Sequence, residues 1–175
     1  CLATYCTDSD EDGIIDECDD QVGDGIHEVP GEFMHIADAV AVANDGDTVL
    51  VAPGTYTGTG DWVINPLGKA ITIKASGTPE ETILDGEGAR RVVRCSNGEG
   101  ADTIFDGFTL QNGRSPTNEP EPDNGGVGMR LDGASPQILN CTFMNNDSGS
   151  RGEYYDINGA AVMVSAGLPT FTACT

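Results

Sequence analysis

The chain has 175 residues, with 29 Asp and Glu against 8 Lys and Arg and a formal net charge of −21 at neutral pH. So acidic a chain lacks the electrostatic footprint of a nucleic-acid binder or of a protein drawn to an anionic membrane surface. No run of 18 apolar residues and no basic-then-apolar leader is present, so no transmembrane segment is expected. The length suits one or two domains around one continuous core. Six Cys, 24 Gly and an abundance of Asn and Thr favour a secreted, extracellular or cell-surface setting. Cys1 fits either a lipid-bearing first residue or the plain start of the stretch.

The amino-terminal segment, 1–20, carries CTDSDEDGIIDECDD from Cys6 to Asp20. Counted from Asp8 as the first position of a calcium loop, Asp10 is third, Asp12 fifth and Gly13 the tight turn. Ile14 then offers its carbonyl at the seventh position, Asp16 stands ninth and Asp19 twelfth. A hard cation such as Ca²⁺ takes about six to eight oxygens, and alternating carboxylates around a glycine turn supply them from about a dozen residues. The pattern DxDxDGxxDxCD, complete here, resembles the thrombospondin type 3 repeat. A solvated acidic linker is the competing reading. Cys18 is expected to pair with Cys6 or with Cys1, closing a small loop.

Residues 21–31 read as a polar connector, and 32–175 as one repetitive domain. Phe33, Ile36, Ala37, Val40 and Ala41 recur at helical spacing, predicting a helix over about 33–44 that stops at Asn44-Asp45-Gly46. From about residue 47 the apolar positions alternate. Strands are expected near Thr48–Val51, Trp62–Ile64, Ala70–Ala75, Thr82–Leu84, Val92–Cys95 and Ile104–Leu110, with glycine-rich turns between them.

A fixed step then emerges. Met129, Leu131, Pro136, Ile138 and Cys141 are answered, always at the same interval, by Val162, Val164, Pro169, Phe171 and Cys174. Stepping back by that interval, Ile138 falls on Phe105, Asn140 on Gly107, Cys141 on Phe108 and Phe143 on Leu110. Such a period marks a solenoid, in which no repeat buries its apolar face until its neighbours stack on it. Asn140 and Gly107 occupy a slip in the alternation. Both residue types enter the left-handed region cheaply, so a bend between two strands is expected there. Successive coils of short parallel strands would lie about 4.8 Å apart. The close spacing of Leu84 and Phe105 suggests short early coils and longer later ones, with the extra length between Leu110 and Val127 and between Phe143 and Ala160.

The phrases GDTVLVAPGTY, GKAITIKAS, TILDGEG, DGFTLQNG and PQILNCTF resemble the right-handed parallel β-helix repeats of pectin-lyase-like secreted proteins, over roughly Val29 to Thr175. The resemblance implies an all-β, right-handed parallel β-helix whose amino-terminal helix caps the first coil, where bare strand edges would otherwise pair with other chains. The family includes polysaccharide lyases, hydrolases and adhesins. In its lyases, Arg or Lys and calcium neutralise a uronate so that a base can take the α-proton.

The two long inserted loops are the expected working surface, because insertions repeated on one face of a solenoid build a platform. The first carries Arg114, Glu119, Glu121 and Asp123; the second carries Asp147, Arg151, Glu153, Tyr154, Tyr155 and Asp156. Paired Tyr beside carboxylates suit stacking on a sugar ring, and equally suit packing the loop onto the rod. A column of Lys74, Arg94 and Arg130 is a second candidate, if Ile73, Val93 and Met129 stack. Neutralisation by nearby acids is its bland rival. Cys95, Cys141 and Cys174 fall at apolar positions and read as buried thiols.

The last coil stops before the partner of Phe143. Either a longer rod or a neighbouring copy is expected to cover it. The expected function is therefore that of a non-catalytic, calcium-binding extracellular rod with a structural, adhesive or filament-forming role. A polysaccharide or a cell-surface glycan is its expected partner. The alternative is a polysaccharide lyase or glycoside hydrolase.

Overall fold

The computed structural model describes residues 25–115, 125–148 and 161–175. Fourteen short strands and one helix follow in the order β1 (Ile26–Val29), α1 (Ile36–Val42), β2 (Thr48–Val51), β3 (Gly54–Tyr56), β4 (Trp62–Ile64), β5 (Thr72–Ala75), β6 (Thr82–Asp85) and β7 (Arg91–Cys95). Then come β8 (Ile104–Asp106), β9 (Thr109–Gln111), β10 (Met129–Asp132), β11 (Gln137–Leu139), β12 (Thr142–Met144), β13 (Val162–Ser165) and β14 (Thr170–Thr172). From β2 onward the chain visits three sheets in rotation. One holds β1-β2-β5-β8-β11-β14, the second β3-β6-β9-β12 and the third β4-β7-β10-β13. Every pairing is parallel. The result is an all-β coil of parallel strands, compatible with a parallel β-helix.

The inward columns follow from this register. Val49, Ile73, Phe105 and Ile138 lie on neighbouring strands of the first sheet and are at most 1% exposed. Leu84 and Leu110 do the same in the second sheet, and Ile64, Val93 and Met129 in the third. Each such side chain contributes about 1.5–3 kcal/mol of burial. The predicted register appears as Met129 opposite Val162, Ile138 between Phe105 and Phe171, and Phe143 opposite Leu110. At the bend between the first two sheets, Asn140 (φ 52°) and Gly107 (φ 84°) are left-handed, as is Ala173 (φ 53°) in the last coil.

Several expectations need correction. The stretch read as a connector contains β1, which pairs with β2. Only its Val29 is buried, so the strand is specified by backbone bonding more than by apolar pattern. Ile104 to Leu110 contributes to two strands, β8 and β9, separated by Gly107. Gly54–Tyr56 is a strand with little apolar content, and the helix is shorter than expected. The early coils are not uniformly short either. The coil from Val49 to Ile73 is short, but the next, from Ile73 to Phe105, is already nearly as long as the later ones. Leu84 belongs to the second sheet and Phe105 to the first, so their separation is not a coil length.

The extra length of the later coils does sit in one place. Between the second and third sheets the chain takes short turns in early coils (57–61 and 86–90) and long excursions in later ones (112–128 and 145–161). The connection from the third sheet back to the first shrinks meanwhile, from 96–103 to 133–136. Both insertions therefore leave the same edge of the rod.

Helix α1 packs against β1, β2 and β4, burying Ile36, Ala39 and Val40. So short a helix would not persist in isolation. Its carboxyl end is held by Lys69, whose Nζ donates to the carbonyls of Val40 (2.7 Å), Ala41 (2.8 Å) and Ala43 (2.7 Å). A cation there also complements the helix dipole. A second ionisable group, Glu99, is buried outright at 1% exposure. Its carboxylate accepts the backbone N–H of Gly68 (3.1 Å) and of Asn97 (2.9 Å), tying two turns together.

Candidate functional site

The edge from which both insertions leave also carries a polar cleft. Strands β6, β9 and β12 end side by side there, in three successive coils. At the end of β6, the Asp85 carboxylate accepts Gln111 Nε2 (2.8 Å), Asn112 Nδ2 (3.0 and 3.1 Å) and the Glu87 N–H (2.7 Å). One coil on, Asn146 accepts the Gly113 N–H at 2.8 Å and donates to the Leu110 carbonyl at 2.9 Å. These side chains bond coil to coil, so the cleft wall is held by the rod itself.

Backbone geometry opens the space. Glu87, Asn112 and Asn145 are left-handed (φ 56°, 53° and 50°), turning the chain sharply out of each strand. Gly113 stands at the root of the first insertion. A Cβ built there would collide with the Val127 carbonyl oxygen, so only glycine lets the outgoing and returning chain lie this close. The cleft measures about 420 Å³, and its lining includes Asp85, Glu87, Asn112, Arg114, Asn145 and Asp147. Arg90 approaches Glu87 at 3.0 Å from beside it. The wall thus offers carboxylates, a guanidinium and amides, a set that recognises hydroxyl- or amine-bearing ligands through directed hydrogen bonds.

The basic column forms only in part. Arg94 and Arg130 are register partners on β7 and β10. Lys74 is elsewhere: it lies on β5 in the first sheet, opposite Leu50 and Asp106, with the Asp106 carboxylate at 3.9 Å. Ile73 stacks with Phe105 and not with Val93, which is why the column breaks. Arg94 places its guanidinium 5.1 Å from the centre of the Trp62 ring, and Arg130 Nε bonds Asp132 at 2.7 Å. Both are engaged by their own surroundings.

The proposed calcium ligands Asp8, Asp10, Asp12, Ile14, Asp16 and Asp19 lie outside the described residues, as do Cys1, Cys6 and Cys18. The loop candidates Glu119, Glu121, Asp123, Glu153, Tyr154, Tyr155 and Asp156 do so as well. Among the described residues no group of three His, Cys, Asp or Glu side chains is disposed to hold a metal, and no helix is long and apolar enough to cross a membrane.

Cys95, Cys141 and Cys174 are free thiols; the first two are buried and Cys174 only partly so. Burial pushes the Cys141 thiol up to about 12, with the neighbouring Cys174 and Asp106 acting the same way against two backbone hydrogen bonds. Burial also raises Cys95 well above its ordinary value, aided by the charge of Glu99. Thiols held protonated in this way are core filler and poor nucleophiles.

The cleft residues Asp85, Asn112 and Asn145 are not among the candidates that the sequence singles out. A signal for two of them is present nonetheless: Asn112 and Asn145, like Gly113 and Asn146, are separated by one step of the repeat. Compared with protein-family models, with characterised proteins and with solved structures, the chain matches none.

Proposed function

We propose that this chain is an extracellular, right-handed parallel β-helix of the pectin-lyase-like kind with a structural or adhesive role, and that it contacts a glycan through the cleft at the root of its two insertions. The observation that carries this reading is the position of the cleft: three consecutive coils line it where both inserted loops leave the rod. A cleft whose wall is cross-bonded between coils is pre-organised, which lowers the ordering cost of binding a flexible chain of sugars. In the same reading α1 is the cap of the first coil. The segment 6–20 is a thrombospondin type 3-like calcium clasp, with Cys18 paired to Cys6 or Cys1.

The rival reading is a polysaccharide lyase or glycoside hydrolase, and it draws on the juxtaposition of Arg94 and Arg130. Trp62 and Asp132 already engage those two side chains, so the binding role is preferred. The test is incubation with a panel of insoluble and soluble polysaccharides in calcium, following both retention of the protein and the products. Retention without new reducing ends or unsaturated, ultraviolet-absorbing products is expected. Release of unsaturated uronates would establish a lyase and overturn the binding role. Chelation is expected to lower the melting temperature or expose residues 6–20 to proteases, and no change in either would remove the clasp.

A further inference from the structure

The acceptor pattern for an N-linked glycan, Asn-x-Ser/Thr, occurs twice in the sequence, as Asn140-Cys141-Thr142 and as Asn146-Asp147-Ser148. The fold treats the two asparagines differently. Asn140 is exposed at the bend between β11 and β12, where its backbone is left-handed (φ 52°) and its N–H donates to the Thr172 carbonyl at 2.9 Å. Its register neighbours at the same bend are Gly107 in the coil before and Ala173 in the coil after, both small. Asn140 Nδ2 donates to the Asp106 carboxylate at 2.7 Å. An amide nitrogen carries two hydrogens and loses one on glycosylation, so that bond survives the modification. Asn146, by contrast, is committed at both atoms: Oδ1 accepts the Gly113 N–H at 2.8 Å and Nδ2 donates to the Leu110 carbonyl at 2.9 Å. A Cβ on Gly128 would stand 2.9 Å from that same Nδ2, which leaves no room for a sugar there. Ser148, the third residue of its triplet, is buried.

Resting on the extracellular reading above, we infer that Asn140 is a modification site that carries an N-linked glycan and that Asn146 is not. In the transfer, Asn140 Nδ2 attacks the anomeric carbon of a lipid-pyrophosphate-linked oligosaccharide. The C–N bond forms as the anomeric C–O bond to phosphate breaks. The lipid pyrophosphate leaves with the electron pair, one amide proton passes to a base of the transferase, and nothing is oxidised or reduced. Transfer meets the chain before it folds, and the fold then sorts the products. A glycan on Asn140 projects from the corner between the first and second sheets, where bulky, solvated groups are tolerated. One on Asn146 would lose the packing against Gly128 that ties successive coils together. The cleft, at the corner between the second and third sheets, stays clear of the Asn140 glycan.

The experiment is expression of the full chain behind a secretion signal in cultured eukaryotic cells, which supply both the transferase and its lipid-linked donor. Peptide N-glycosidase in heavy-oxygen water then converts each glycosylated Asn to labelled Asp, which peptide mass spectrometry locates. The exported chain is expected to carry the label at Asn140 and none at Asn146. Thr142→Ala removes the acceptor pattern without touching the left-handed bend and should abolish the glycan's mass shift, whereas Ser148→Ala should leave it whole. An exported chain bare at Asn140, or labelled as fully at Asn146, overturns the assignment, and so does a mass shift that survives Thr142→Ala. A chain held inside the cell counts against the extracellular reading alone, because transfer precedes export and mapping of the retained chain still decides Asn140.

Discussion

Lys69 gives the sharpest test of how the amino-terminal end of the rod is held. Its ammonium donates to three carbonyls of α1 and its exit, at 2.7, 2.8 and 2.7 Å. Two of the acceptors belong to Val40 and Ala43, which are 0% and 2% exposed. Lys69→Met keeps the hydrocarbon stem and removes the donor. A hydrogen bond to a charged group contributes about 1.5–3 kcal/mol. Three would total about 5–9 kcal/mol, but the site is partly open and water will replace the donor to the Ala41 carbonyl. A loss of about 2–3 kcal/mol is the reasonable expectation after that discount. With a urea slope of about 2 kcal/mol/M, the unfolding midpoint drops by about 1 M. Hydrogen exchange should localise the change, because opening of α1 releases the Ala43 amide from the Ala39 carbonyl before the coils separate. If Lys69→Met unfolds at the wild-type midpoint with unchanged exchange in α1, the clamp is not what holds the helix.

The remaining predictions concern buried ionisable groups. Glu99→Ala strands the N–H groups of Gly68 and Asn97 and should cost about 2–4 kcal/mol, while Glu99→Gln, retaining one acceptor, should cost about half as much. Equal melting temperatures for wild type and Glu99→Ala would show that water satisfies both donors. For Cys141 the ordinary value is 9.0 and the folded value about 12, so the folded state favours the thiol. Its contribution is complete below pH 9 and is lost as pH rises toward 12, with a slope of about 1.4 kcal/mol per pH unit. Cys141→Ala should therefore flatten the alkaline limb of the stability curve. Parallel curves for the two proteins would refute the buried-thiol account.

The step of the repeat is legible in the sequence because apolar residues recur in phase over the last three coils. The inward positions of Phe105 and Ile138, and the register of Phe171 with Ile138, follow from it. So do the left-handed bends at Gly107 and Asn140, where residue type and slip in the alternation agree. The shared exit of the two insertions is legible for the same reason: both interrupt the same point of the repeat. Earlier in the chain that step does not hold, since the interval from Val49 to Ile73 is much shorter than the one from Ile73 to Phe105. Alternation alone cannot say which of three sheets a strand joins, and so it sets Lys74 beside Arg94 when the two lie in different sheets. Strand β1 carries no apolar signature because, of the two positions registered with buried Val49 and Val51, one is His27 and only Val29 is apolar. Lys69 and Glu99 look like ordinary charged residues in the sequence because their partners are backbone atoms, and every residue has the same backbone. Only the stacking of coils brings those carbonyls and N–H groups within reach. The same stacking brings Asp85 to the cleft beside Arg114 and Asp147, which one step of the repeat relates to each other but not to Asp85.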